Sequence, residues 1–327
     1  MRKKALLIGI NNYPGINKLN GCLADIKSLE SVIKRNGDNG PNFEVKLLED
    51  EQSSSVAMSE IEHLFGDDAD VALLYFSGHG YVNTTGAEIV FPKDIITDEH
   101  YYKGIQMDDI MRIVNKSKVK NKIIIFDCCH SGAIGKYDIR QDRSELEPGV
   151  SILTACREDE TAMEMGGHGI FTELLCDALN GGAADFCGNI TIGGIYAYID
   201  RSFGAWEQRP VFKTNVTEFI PLRTVQPSVE LSYIRELTSL FANPETELML
   251  DPSFEKTNDP SVEHKCISPY ANKVNVKKFT TLQKLQSIGF VRPVDEEHMY
   301  YAAMNNKACR LTALGKYYWR LVYNGRI

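Results

Sequence analysis

Two short stretches hold the residues that could do covalent chemistry. NKIIIFDCCHSGA, Asn121 to Ala133, ends an apolar run on an acid, two thiols and a histidine, and DVALLYFSGHGYV, Asp70 to Val82, ends a similar run on Ser77-Gly78-His79-Gly80. A cysteine is a strong nucleophile only as a thiolate, and a nearby imidazole is the usual means of producing one. His79 and the Cys128/Cys129 pair are therefore the candidate base and nucleophile, and the glycines around His79 would let backbone N–H groups and a substrate approach closely. Strand alternation turns one of two adjacent cysteines away from the other. With Cys129 as nucleophile it makes Cys128 a small buried hydrophobe, and in either case it argues against zinc, for which no second ligand pair stands at the right spacing. His130 is too close to Cys129 along the backbone to swing onto it.

Positioning these groups requires two neighbouring parallel strands, whose C-terminal ends deliver functional residues to one sheet edge. The sequence supplies them. KALLIGI (Lys4 to Ile10), FEVKLL (Phe43 to Leu48), DVALLYF, NKIIIFD and GVSILTA (Gly149 to Ala155) have strand length and turn-rich flanks. Helical spacing recurs between them, at Leu23, Ile26, Leu29 and Ile33, over Val56 to Phe65 and over Met107 to Val114. GIFTELLCDALNG and TIGGIYAYIDRSF read as later helices and RPVFKT as an edge strand. This alternation predicts an α/β domain with a mostly parallel sheet covered by helices on both faces.

The 327 residues, 43% hydrophobic and 24% charged, suit one large domain and a smaller one. The start MRKKALLIGI has too short an apolar run for a secretion signal, and no stretch is long enough to span a bilayer, so a cytoplasmic location with no membrane contact is expected. Eight cysteines without paired spacing read as reduced thiols. The net charge of −8 is uneven: Val262 to Ile327 holds eleven Lys and Arg against four Asp and Glu, a local +7 that leaves −15 on the rest. NPETELMLDPSFEKTNDPS, Asn243 to Ser261, is rich in proline and acid and reads as a linker. The expected organisation is a catalytic domain over 1–222, a linker with room for a helix over 223–261, and a small domain over 262–327.

LLIGINNY, LNGCLADIKSL, YFSGHG, IIIFDCCHSG, ILTAC and HGIFTELLCDAL together resemble the caspase and metacaspase clan of cysteine peptidases over roughly Lys3 to Thr214. His79 and Cys129 are separated by the roughly 50 residues that caspases show. The caspase form Gln-Ala-Cys-x-Gly is absent; Asp-Cys-Cys-His-Ser-Gly is the form of metacaspases and their bacterial relatives. The resemblance implies a caspase-like three-layer fold. It puts Cys129 in the nucleophile's place and His79 in the base's, with the backbone N–H groups of Gly80 and Cys129 as the oxyanion donors.

In metacaspases acids line the pocket for the residue before the scissile bond. The matching positions here are Asp127 and Asp25, with Cys22 and Ser77 at the remaining ones, which implies cleavage after Arg or Lys. An acid in the first turn of a helix can also serve only the helix dipole, the other reading of Asp25. Arg209 is the sole candidate for selecting an acidic residue instead, and a strand-end position accounts for it better. The charged stretch 135–149 follows Cys129, is expected to be an exposed loop, and carries Lys136, Arg140 and Arg143, so self-cleavage there is expected. No cofactor is required by the dyad. Many metacaspases need calcium, and Asp94, Asp108 and Asp109 resemble the acids used, although Asp108 and Asp109 at a helix start also suit capping.

The last sixty residues, a helix over Lys277 to Ile288, a short strand GFVRPV and CRLTALGKYYWRLV leading into a helix, resemble a winged helix-turn-helix. The other reading is a helical cap on the first domain. Lys277, Lys278, Lys284, Arg292, Lys307 and Arg310 would suit phosphates, while Asp295-Glu296-Glu297 at the wing would repel them. A protein partner or an autoinhibitory role is therefore favoured over nucleic acid. Two other functions compete with a peptidase acting on proteins or peptides: a catalytically silent binding module recruited through its tail, and a thiol hydrolase of a small molecule.

Overall fold

The computed structural model describes the chain except residues 67, 84–85, 97–100, 103, 129–145, 156–163, 166–167, 204–208 and 262–265. It divides into two compact units, Met1–Gln226 and Pro227–Ile327. No helix among the described residues is long and apolar enough to cross a membrane, and the six described cysteines are free thiols.

The first unit is built on a six-stranded sheet. Its strands are β1 (Lys3–Gly9), β2 (Phe43–Glu49), β3 (Val71–Ser77), β4 (Asn121–Asp127), β5 (Val150–Thr154) and β6 (Val211–Thr214), in the order β6-β5-β4-β3-β1-β2. All neighbours run parallel except β6, an edge strand antiparallel to β5. Every residue of β3 and β4 is buried, which explains why their sequences are continuous apolar runs rather than alternating ones.

Alternation sorts those side chains between two cores. Leu6, Ile8, Leu74, Phe76, Ile124, Phe126 and Cys128 pack with helices α2 (Ser54–Gly66) and α3 (Met107–Lys116). Leu7, Leu73, Tyr75, Ile123 and Ile125 pack on the other face with α1 (Cys22–Ile33), α4 (Ile170–Asp177) and α5 (Ile192–Ser202). The result is three layers, helix, sheet and helix. A small antiparallel sheet, Gly80–Asn83, Gly86–Ile89 and Ile105–Gln106, follows directly from the end of β3.

The second unit contains α6 (Leu231–Arg235), α7 (Leu237–Leu240), β7 (Glu247–Met249), α8 (Lys273–Ser287), β8 (Val291–Pro293), α9 (Met299–Met304), β9 (Ala308–Leu311) and α10 (Ala313–Tyr323). Its strands form an antiparallel sheet in the order β7-β9-β8. This differs from the expected linker over 223–261. Glu247–Met249 pairs with β9, and the buried Asn258 side chain donates to the carbonyls of Pro252, Ile267 and Pro269, so the Pro-rich acidic stretch is folded into the unit. Proline and acid suited turns and exposed edges here rather than a solvated tether. Including those acids, Pro227–Ile327 carries thirteen Lys and Arg against eleven Asp and Glu, a net +2 in place of the +7 read from its last residues alone.

Candidate active site

His79 lies two residues past β3 and is held through both its backbone and its ring. Its backbone N–H donates to the Tyr13 hydroxyl at 3.0 Å, its carbonyl accepts from Val90 N, also at 3.0 Å, and the Tyr13 ring meets the imidazole edge-on with centroids 4.6 Å apart. Tyr13 is buried, and its hydroxyl would lie 2.5 Å from a Cβ at position 78, so only glycine lets the two segments meet. The imidazole Nε2 lies 2.7 Å from the Asn17 carbonyl. A carbonyl only accepts, so Nε2 carries a hydrogen, which in the neutral imidazole leaves the lone pair on Nδ1, the form a general base needs. Gly80, the next residue, opens the small sheet and is paired with Ile89.

On the α1/α4 face of the same sheet edge, two carboxylates converge. Ser77 and Asp127 are register partners at the ends of β3 and β4. Asp25, in the first turn of α1, accepts from Ser77 Oγ at 3.1 Å and from the Gly169 N–H at 3.3 Å. Asp127 accepts from Thr172 Oγ1 at 2.6 Å, and the Tyr75 hydroxyl lies 2.5 Å from that same Thr172 oxygen. Gly169 sits between the acids: a Cβ there would stand 2.7 Å from Asp127 Oδ2 and 3.6 Å from Asp25 Oδ2. Asp25 is 2% and Asp127 7% exposed, so Asp25 is not a solvated helix-dipole acid. Burial and the two carboxylates hold the Tyr75 hydroxyl well above its ordinary pKa, and burial with Asp25 pushes the Cys176 thiol up to about 12. Both stay protonated.

Cys22 is buried at the first position of α1, three residues before Asp25, and Cys128 is buried in the α2/α3 core. His79, Asp25, Asp127 and Ser77 therefore come from the ends of β3 and β4 and the start of α1. Cys129, Lys136, Arg140 and Arg143 lie outside the described residues. The Arg209 guanidinium is engaged by Asp200 of α5 at 3.1 Å. Asp94 accepts from the Ser54 N–H and so caps α2, while Asp109 pairs with Arg112 one turn along α3, on which Asp108 also lies. Among the described residues no three His, Cys, Asp or Glu side chains gather in a way that could hold a metal ion.

Sequence reading missed Tyr13, Asn17, Thr172, Tyr75 and Gly169. Tyr75 was visible as a hydroxyl inside an aliphatic run, and Gly169 and Thr172 stand in the HGIFTELLCDAL motif without an evident role. The Asn17 contribution is a backbone carbonyl and left no side-chain signal.

An imidazole and a pair of buried acids thus stand at the C-terminal edge of a mostly parallel sheet in a three-layer fold. The caspase-domain family matches residues 2–219, and the chain belongs to that family of peptidases. Among curated proteins it is similar to metacaspase-3 of Trypanosoma cruzi (strain CL Brener), 26% identical over 223 residues that span 58% of this chain and 61% of that protein. It is also similar to metacaspase-4 of Arabidopsis thaliana, 28% identical over 201 residues (55% of this chain, 44% of that one), and metacaspase-6 of the same plant, 30% identical over 203 residues (55% and 52%). The chain thus matches about half the length of these relatives.

Proposed function

We propose that the protein is a cysteine endopeptidase that cleaves after Arg or Lys. The observation that carries this reading is the convergence of Asp25 and Asp127 on Gly169, at the strand end next to His79. Two buried carboxylates at one point favour a guanidinium or ammonium group. In the reaction His79 Nδ1 takes the Cys129 thiol proton and the thiolate adds to the scissile carbonyl, with the N–H groups of Gly80 and Cys129 as donors to the oxyanion. The C–N bond breaks as His79 returns the proton to the leaving amine. Water, deprotonated by the same imidazole, then releases the acyl group and restores the thiol. The stretch bearing Lys136, Arg140 and Arg143 offers the residues such a pocket accepts, which supports activation by self-cleavage.

Release of fluorophore from matched Arg, Lys and Asp peptides, with and without calcium and with Cys129→Ala as blank, tests the reading. Turnover of Arg or Lys peptides that the blank lacks is the expected result. Turnover of Asp peptides alone would overturn the specificity, and silence throughout would favour a binding module or a small-molecule hydrolase.

The second unit is proposed to recruit a protein partner. Helix α8, followed by the paired strands β8 and β9 and by α10, supports a winged-helix reading; α9 stands between the two strands where a bare hairpin was expected, and Lys277, Lys278 and Lys284 are exposed along α8. The net charge of only +2, with Glu245 and Glu247 paired to Lys316 and Arg310, favours protein over nucleic acid. Binding to duplex DNA that weakens steeply with salt would reverse that preference.

A further inference from the structure

The first turn of α4 has a role in the pocket that the acids themselves do not explain. Thr172, at the third position of α4, is 1% exposed, and Tyr75 of β3 is fully buried. An ionised Asp127 can only accept, so the Thr172 hydroxyl hydrogen is committed to Asp127 Oδ2 at 2.6 Å. The Thr172 oxygen must then accept from Tyr75, which lies 2.5 Å away and keeps its proton because burial and the acids raise its pKa. The chain of donation has one direction, from Tyr75 through Thr172 to Asp127. Each link polarises the next in a site shielded from water.

We infer that Thr172, backed by Tyr75, is a positioning residue that keeps Asp127 ionised and turned toward the side chain the pocket recognises. The inference rests on the proposed preference for Arg and Lys. Asp25 of α1 faces Asp127 across Gly169 and raises the energy of a second charge, while Cys176 of α4 and Tyr75 remain neutral. A dedicated donor is what offsets that repulsion. Gly169 completes the arrangement. Its N–H serves Asp25, and its lack of a side chain lets Asp127 reach Thr172. One helical turn thus supplies a donor to each acid.

The test is the affinity of benzamidine, a planar cation that mimics an Arg side chain, for full-length Cys129→Ala protein by calorimetry between about pH 4 and pH 8. Working in the Cys129→Ala background makes the readout independent of turnover and processing. Thr172→Val should weaken binding about ten-fold at neutral pH, the worth of one hydrogen bond to a charged group. It should also move the acid limb of the binding curve upward by about half a unit or more, because losing the donor raises the Asp127 pKa. Thr172→Ser should restore both, and Tyr75→Phe should reproduce part of both. A Thr172→Val protein that fails to fold would show no benzamidine binding and no cooperative melt; Tyr75→Phe, which removes one oxygen only, then carries the test. Wild-type affinity and pH limb in Thr172→Val or Tyr75→Phe, alongside lost binding in Asp127→Asn, would overturn the positioning role and leave the pocket reading intact. Undiminished binding in both Asp25→Asn and Asp127→Asn, or no binding by the parent, would overturn the pocket reading and this inference with it.

Discussion

The Asn17 carbonyl accepts from His79 Nε2 at 2.7 Å, so the imidazole proposed as the base is oriented by a loop backbone. That loop is held in turn by Asp50. The Asp50 carboxylate accepts from the backbone of Asn11 at 2.7 Å, the backbone of Asn12 at 3.1 Å and the Asn12 side chain at 2.6 Å, and Asp50 itself turns through a left-handed φ of 48°. A base must sit within a fraction of an ångström of its proton donor to be effective.

Removing this clamp should therefore cost turnover more than binding. Asp50→Ala is expected to lower kcat on an Arg peptide by about 10- to 100-fold with a much smaller change in KM. Asp50→Asn, which tolerates the left-handed turn and keeps one acceptor oxygen, should fall between it and the wild type. Steady-state kinetics decide the matter: equal loss in kcat/KM carried wholly by KM would place Asp50 with the pocket instead of the base.

Lys3 makes stability depend on pH at the opposite end of the sheet. Its ammonium is buried among Asn42 Oδ1, at 2.8 Å, and the carbonyls of Pro221, at 2.8 Å, and Leu222, at 3.3 Å, and burial lowers its pKa from 10.5 to about 8. Below about pH 8 the folded and unfolded states both hold the proton, and the cost of burying the charge is fully present. Between about pH 8 and 10.5 the unfolded chain binds the proton and the folded one does not, so stability contributed at this site rises with pH. Urea midpoints at about pH 7.5 and pH 9.5 should show the wild type gaining relative to Lys3→Met as pH rises. Parallel behaviour of the two proteins would sink the argument.

Much of the sheet was legible because β3 and β4 are buried on both faces and had to be apolar throughout, and their ends had to be where chemistry begins. The edge strand at Val211–Thr214 was readable from the Pro that precedes it. The second unit was less so. β7 has three residues, too few for a period to declare itself, and its partner β9 lies some sixty residues away in sequence. Helix α9, six residues between two strands, was likewise too short to stand out. In the site, His79 and the two acids are side-chain types with few alternatives, whereas Thr172 and Tyr75 act through hydroxyls that ordinary core residues also carry. A carbonyl such as that of Asn17 has no residue preference at all.

If the pocket accepts Arg and Lys, the stretch after Cys129 is its nearest supply of both. Full-length protein incubated under conditions that give turnover should yield two fragments, with new ends after Lys136, Arg140 or Arg143. The triple alanine variant should remain intact, as should Cys129→Ala. Mass spectrometry of the products distinguishes the three positions, and normal processing of the triple variant would remove self-cleavage in this stretch from the scheme.

Asn258 tests whether the acidic, proline-bearing stretch is structural. Its Nδ2 donates to Pro252, Ile267 and Pro269 at 2.8 to 3.1 Å, its Oδ1 accepts from Ile267 N at 2.9 Å, and its own carbonyl accepts from Ala271 N at 3.0 Å. A tether needs no such hub. Asn258→Ala would leave several buried groups without partners, at about 1–3 kcal/mol each, so the second unit should lose about 3 kcal/mol or more. Asn258→Asp should be at least as damaging near neutral pH, because a carboxylate oxygen would face carbonyls where an NH₂ group now donates. Trp319, buried in α10 with its Nε1 donating to the Phe241 carbonyl at 2.9 Å, reports that unit's unfolding by fluorescence once Trp206 is replaced by Phe. An unchanged midpoint in both variants would return the stretch to the status of a linker.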